Sequence, residues 1–176
     1  MPTLTIAKPN VNEFDPYYGR YIDLIPDGSV LEMFDRQHDT TMSLLRGIKE
    51  DRGTHRYAPG KWSIKEVVGH VMDFERIFAY RALRFARADR TPIPGAEQDD
   101  YVASANFDRR SLFDIASEFH HLRQATLLMF RGFDEDALGR IGTANGVEIS
   151  VRALAYVMAG HERHHMDIIK STYLDA

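Results

Sequence analysis

Four long segments of this chain repeat apolar residues at the spacing of an α-helix. The first follows Ser29, the second opens at Ser63, the third spans 110–131, and the fourth follows Ser150. Serine is a favoured residue at the N-terminal cap of a helix, and Glu66 completes a capping box with Ser63. Apolar stripes on four helices of roughly 20 residues each can be buried only against one another, so the pattern predicts an all-α four-helix bundle.

The segments between these helices predict few other elements. The 89–108 connection is polar and proline-rich, with one short helix expected near 99–105. The Asn145–Gly146 pair separates two short strand-like runs, which predicts at most one small β-hairpin. Residues 1–28 contain four prolines and no helical period. They are therefore predicted to form an extended arm laid over a single bundle domain of residues 29–176.

Composition excludes several functional classes. The chain has 176 residues, 44% of them hydrophobic, which is the size of one domain with a sizeable core. Its net charge of −4 argues against nucleic acid as the main partner. No apolar run reaches the roughly 18 residues of a membrane span. Residues 1–10 lack the basic start and apolar core of a secretory signal, so the expected location is cytoplasmic.

Basic residues recur every third position in the second helix and just beyond it. A row of this kind predicts a solvated or ion-paired helix edge, although its first member also continues the apolar stripe of that helix. The row consists of Arg81, Arg84, Arg87 and Arg90.

The absence of cysteine restricts the chemistry available to the chain. Disulfides, thiolate ligands and a cysteine nucleophile are excluded, which leaves His, Asp and Glu to bind any metal ion. Any thiol chemistry would have to come from a small-molecule co-substrate.

The fourth helix contains an H-E-x-x-H sequence at residues 161–165. Residues four apart share a helix face, so His161 and His165 can offer two imidazoles to one metal ion. Glu162 is a candidate general base, although it can equally face solvent. No histidine or glutamate follows this pair, so a third ligand must come from upstream, which is unlike an ordinary zinc protease.

His70 lies on the apolar stripe of the second helix and is the candidate third ligand. A single histidine on an apolar face is usually a hydrogen-bonded core residue. Three imidazoles in one bundle interior are harder to satisfy, because each neutral ring offers only one donor and one acceptor. A divalent cation bound to one nitrogen of each ring solves this problem, and either Asp73 or Glu66 could orient the ring of His70.

The remaining histidines fit other positions better. His164 is expected in the second shell of the metal site or at the surface, and His38 in the core or a pocket wall. The other three, His55, His120 and His121, are expected to be exposed.

Three stretches of sequence resemble the DinB/YfiT-like family of metalloenzymes. They are Tyr57–Ile64 (YAPGKWSI), Val68–Arg76 (VGHVMDFER) and Gly160–His165 (GHERHH). The resemblance implies an up-down-down-up four-helix bundle, often dimeric. It also implies a metal ion held by one histidine of the second helix and an H-x-x-x-H pair of the fourth, which match His70, His161 and His165. Family members include bacillithiol- and mycothiol-linked transferases or isomerases and proposed metal-dependent hydrolases.

Two functions are compatible with these features. In the first, a divalent metal, zinc or nickel, activates water for hydrolysis or a small thiol for transfer to a small-molecule substrate. In the second, the metal only ties two helices together in a non-catalytic dimeric interaction module. An open coordination position beside a pocket, walled by the arm and the 89–108 connection, distinguishes the enzyme from the module.

Overall fold

A computed structural model describes residues 5–174 of the chain; residues 1–4 of the predicted arm and residues 175–176 lie outside the described part. Four long helices dominate it, as the sequence predicts. They are α2 (Val30–Gly47), α3 (Ile64–Ala86), α5 (Leu112–Arg131) and α7 (Val151–Ile168). The shorter elements are α1 (Gly19–Ile22), α4 (Gln98–Ala105), α6 (Glu135–Gly139), β1 (Ile141–Ala144), β2 (Val147–Ser150) and a π-helical continuation of α7 (Ile169–Leu174).

Two hydrophobic clusters fix the directions of the four helices. One cluster joins Leu45 at the end of α2 and Ile169 after α7 to Ile64 and Ile115 at the starts of α3 and α5. The helices α2 and α7 therefore end where α3 and α5 begin. Helix α3 packs against α5 and α7, and α2 packs against the same two helices from the other side. This arrangement is the predicted up-down-down-up four-helix bundle.

The N-terminal arm packs into the second cluster, at the opposite end of the bundle. Ile6, Tyr18, Ile22 and Ile25 of the arm are buried there. The arm is not extended throughout, contrary to the prediction. A 3₁₀ turn at Pro16–Tyr18 leads into α1, because the Asp15 carboxylate accepts a hydrogen bond from the Tyr17 amide and proline fits the first helical turn.

Helix ends and the hairpin follow local sequence rules. The capping box of Ser63 and Glu66 forms at the start of α3, and the Ser150 hydroxyl accepts a hydrogen bond from the Ala153 amide at the start of α7. Strands β1 and β2 pair antiparallel around Asn145 and Gly146, whose φ angles of 54° and 77° match a two-residue turn. Helix α6 was not predicted from the sequence. Within residues 5–174 no helix is long and apolar enough to cross a membrane.

Candidate metal centre

Three histidines from two adjacent helices converge in the bundle interior. His70 lies on α3, and His161 and His165 lie one turn apart on α7. One ring nitrogen of each lies within 4.8 Å of the other two, and the Nε2 atoms of His70 and His161 are 3.0 Å apart. The structure thus brings together the same three histidines that the sequence selects as candidate ligands.

All three rings are kept neutral by their surroundings. Burial lowers the pKa of His70 to about 4. Burial, followed by the neighbouring His70 and His164, lowers the pKa of His165 to about 3. The pKa of His161 lies well below its usual value for the same reasons. Near neutral pH each ring therefore has a nitrogen lone pair available for a metal ion.

The hydrogen bonding within the cluster is not that of a fully satisfied core. Two Nε2 atoms face each other, and the Nδ1 atom of His70 is buried without a partner among residues 5–174. Nitrogens bound to one tetrahedral zinc ion at about 2.0–2.1 Å lie roughly 3.3 Å apart. The 3.0 Å separation of the His70 and His161 nitrogens is close to that value, whereas the full set of three spreads over up to 4.8 Å and must draw together to bind one ion.

Aromatic side chains surround the cluster. The rings of Trp62 and Phe74 lie 4.8 and 4.6 Å from His70, measured between ring centroids. The Tyr21 ring meets His161 edge-on at 5.3 Å. This contact depends on Gly160, since a Cβ atom there would lie 2.0 Å from the carbonyl oxygen of Tyr21. A glycine before His161 therefore lets α1 lie directly against α7.

A cavity of about 380 Å³ opens beside His70 and His161. The arm and the connection after α3 wall it, as the sequence predicts for a catalytic site. The side chains that line it include Asp15, Tyr18, Tyr21, Phe74, Phe78, Arg81, Glu97 and Gln98.

Glu162 lies in a buried ion-pair network on the other side of α7. Its Oε1 atom accepts a hydrogen bond from the Thr41 hydroxyl (2.7 Å), and its Oε2 atom accepts from Arg123 (2.7 Å) and Gln37 (3.1 Å). Arg123 also pairs with both oxygens of Glu75. The network joins all four long helices beside the histidine cluster. Sequence analysis missed Arg123 and Glu75, because charged residues in amphipathic helices are usually exposed.

Several side chains lie elsewhere than expected. Asp73 and Glu66 do not reach His70; Asp73 pairs with Arg76, and Glu66 is held by the capping box. His164 is exposed, and His38 is buried as a core residue, in agreement with the sequence. His120 was expected to be exposed, but it is half-buried with its Nδ1 atom 3.0 Å from Nε2 of His38.

The basic row at the end of α3 is not uniform. Arg84 pairs with Asp89, and Arg87 and Arg90 are exposed, as expected for a helix edge. Arg81 is an exception, with only 4% of its surface exposed, and it lines the histidine cavity. It lies on the apolar stripe, so helix geometry turns it inward.

Comparison with known proteins identifies the family. Residues 33–169 match the model of the DinB superfamily, and the chain belongs to that superfamily. No curated protein matches the chain in a sequence search.

Solved structures share the fold at low sequence identity. YfiT from Bacillus subtilis, described as a probable metal-dependent hydrolase with an unusual four-helix bundle topology, superposes with a TM-score of 0.69 at 13% identity, over 94% of this chain and 90% of YfiT. A mycothiol-dependent maleylpyruvate isomerase gives 0.66 at 13% identity, over 78% of this chain and 58% of the isomerase. The DinB-like protein YjoA from Bacillus subtilis gives 0.60 at 17% identity, over 83% of this chain and 90% of YjoA.

Acidification is expected to destabilise the metal-free protein through these histidines. The folded-state pKa values of His70 (about 4) and His165 (about 3) lie below the usual 6.5. Between these values the unfolded chain binds protons that the folded state does not, so the free energy of unfolding falls as pH falls. Urea unfolding at about pH 7 and about pH 4.5 measures this loss. The loss should be smaller in a His70→Asn His165→Asn variant, and an equal loss in both proteins would contradict the prediction.

Proposed function

We propose that this protein is a metal-dependent enzyme acting on a small molecule. One divalent cation, zinc or nickel, is held by His70, His161 and His165. The observation that carries the proposal is a cluster of three neutral imidazoles, two of which, His70 and His161, line a cavity of about 380 Å³. A site with a purely structural role is normally closed by a fourth protein ligand, whereas catalytic sites keep a position open.

The chain's own residues bind and shield the reacting groups. The three imidazoles bind the cation and, being neutral, leave its charge undiminished. Phe74 and Tyr21 pack against the ligand rings, fix their orientation and exclude bulk water from one side. A divalent cation in such a site supplies Lewis acidity, which lowers the pKa of water or of a thiol towards neutrality.

Two reactions fit this site, namely hydrolysis with water and transfer to or from a low-molecular-weight thiol. The comparison with YfiT, described as a probable metal-dependent hydrolase, supports the first. The mycothiol-dependent isomerase supports the second. The lack of cysteine in the chain also fits the second, since the thiol would arrive as a co-substrate.

We propose a structural role for Glu162 in place of general-base catalysis. Both of its carboxylate oxygens are engaged by Thr41, Arg123 and Gln37. Releasing the carboxylate towards the cavity would leave Arg123 with one fewer partner in a fully buried position. The role that supports catalysis is then to fix the rotation of α7, and with it the direction of His161.

The alternative function is a non-catalytic module in which the metal ties α3 to α7 and the protein acts as a homodimer. Exposed apolar side chains on α5, Phe113 (79% exposed) and Leu128 (66%), support a dimer surface in either case. The two functions differ in whether the metal has a coordination position at which a ligand can exchange.

Cobalt(II) substitution tests the proposal, because the visible absorption of cobalt reports each change in its ligands. Imidazole and a small thiol such as 2-mercaptoethanol are each expected to alter the spectrum of the cobalt-loaded protein, since either can enter an open coordination position. A His161→Ala His165→Ala variant should show neither response. A cobalt spectrum that neither compound changes would reject the enzyme in favour of the module.

A further inference from the structure

Arg81 is a buried cation without a compensating carboxylate. Only 4% of its surface is exposed, and its guanidinium donates a hydrogen bond from Nη2 to the Pro94 carbonyl at 3.3 Å. Its Nε atom is buried and has no partner, and no carboxylate of residues 5–174 lies within salt-bridge distance. Burial lowers the pKa of Arg81, and the nearby Tyr18 and Tyr101 only partly offset this.

The other buried arginine of the bundle shows how the fold normally compensates such a charge. Arg123 is fully buried, but it pairs with Glu75 and Glu162 at 2.7 Å each. Burial works against its charge, yet the attraction of Glu162 and Glu75 prevails and raises its pKa above the usual value. A buried arginine is costly without a partner anion, and only Arg123 finds one within the described residues.

The position of Arg81 directs its charge towards the metal centre. Arg81 and His70 are eleven residues apart on α3, which places them on nearly the same face about 16 Å apart along the axis. Helical side chains lean towards the N-terminus, so the Arg81 side chain leans towards His70. Phe74 and Phe78 lie on the same helix between them, and all four residues line the same cavity.

The neighbouring groups that line the cavity do not neutralise Arg81 through an ion pair. Tyr18 is buried next to Arg81, and burial raises its pKa, so the phenol stays neutral and its oxygen supplies no compensating negative charge to the guanidinium. The carboxylates that line the cavity belong to Asp15, which is half-buried and accepts from the Tyr17 amide, and to Glu97, which is exposed. Neither forms an ion pair with Arg81, so its partner must come from outside these residues.

We propose that Arg81 binds an anionic group of the substrate, a carboxylate or a phosphate, while the reacting end of the same small molecule lies at the three histidines. This inference rests on the proposed function and adds the substrate class to it. The planar guanidinium matches the two oxygens of either anion. The Phe74 and Phe78 rings between the two ends fit an apolar or unsaturated middle part.

The test uses anions and a neutral isostere with the whole metal-free protein. Isothermal titration calorimetry compares benzoate, phenyl phosphate and benzamide. Wild-type protein is expected to bind one of the two anions at least about tenfold more tightly than benzamide, since hydrogen bonds to charged groups exceed those to neutral ones. The anion that binds more tightly shows whether the site prefers a carboxylate or a phosphate. Equal binding of all three compounds would overturn the proposal.

Variants locate the effect at Arg81. Arg81→Met should abolish the preference for the anion, while Arg90→Met, which removes the same charge from an exposed position, should retain it. A preference that survives in folded Arg81→Met would also overturn the proposal. If that variant does not fold, NMR on wild-type protein replaces it, with the Nε–H resonance of Arg81 assigned by comparison with Arg81→Lys. This resonance must shift when the anion is added, and an unmoved resonance counts against the proposal.

The result is independent of the cobalt experiment, because these titrations contain no metal. Anion preference without an exchangeable cobalt position would leave Arg81 as an anion site in a non-catalytic module. An exchangeable cobalt position without anion preference would support the proposed enzyme function and reject the proposal of an anionic substrate.

Discussion

Replacing Arg123 with alanine is expected to destabilise the protein by about 3–5 kcal/mol, the cost of removing one partner from a buried ion pair. Glu75 and Glu162, which are 2% and 1% exposed, would then face each other without a cation. Each must take up a proton or draw water into the bundle, and both outcomes weaken the folded state. Urea unfolding near neutral pH measures the loss.

Arg131 on the same helix provides the matched control. It pairs with Asp35 at 2.8 Å, but both side chains are about half exposed. Arg131→Ala should therefore cost only about 0–1 kcal/mol, as is typical of surface pairs. Similar losses in the two variants would mean that the Arg123 network contributes no more than a surface pair.

The second large effect is expected in metal binding. Purified protein should contain about one divalent ion per chain, since three ligand nitrogens converge on one point. The His161→Ala His165→Ala variant leaves only His70 and should contain almost none. Elemental analysis after dialysis against metal-free buffer measures the stoichiometry.

Tryptophan fluorescence gives a second measurement of metal binding, and a variant of the neighbouring His164 provides its control. Trp62 is the only tryptophan of the chain, and its ring lies 4.8 Å from His70. Nickel is expected to quench its fluorescence in wild-type protein and in His164→Ala, because His164 is exposed and is not one of the three converging histidines. Unchanged metal content in the double variant would reject the site.

The sequence was sufficient for the parts of the fold that depend on local periodicity. Apolar stripes and capping serines located the four long helices to within a few residues, and Asn145–Gly146 located the hairpin. The same periodicity selected His70, His161 and His165, because a polar residue on an apolar stripe must enter the interior. This prediction depends only on helix geometry and not on which helices are neighbours.

Only the tertiary structure decided which interior residues meet. Glu162 lies about 100° from His161 around α7, and sequence could not tell whether it faces solvent, the cavity or α5. Packing of α2 and α5 against α7 placed it on Arg123, and packing of the arm and the 89–108 connection buried Arg81 without a carboxylate. Both outcomes depend on contacts between residues far apart in the chain, which periodicity within one helix does not encode.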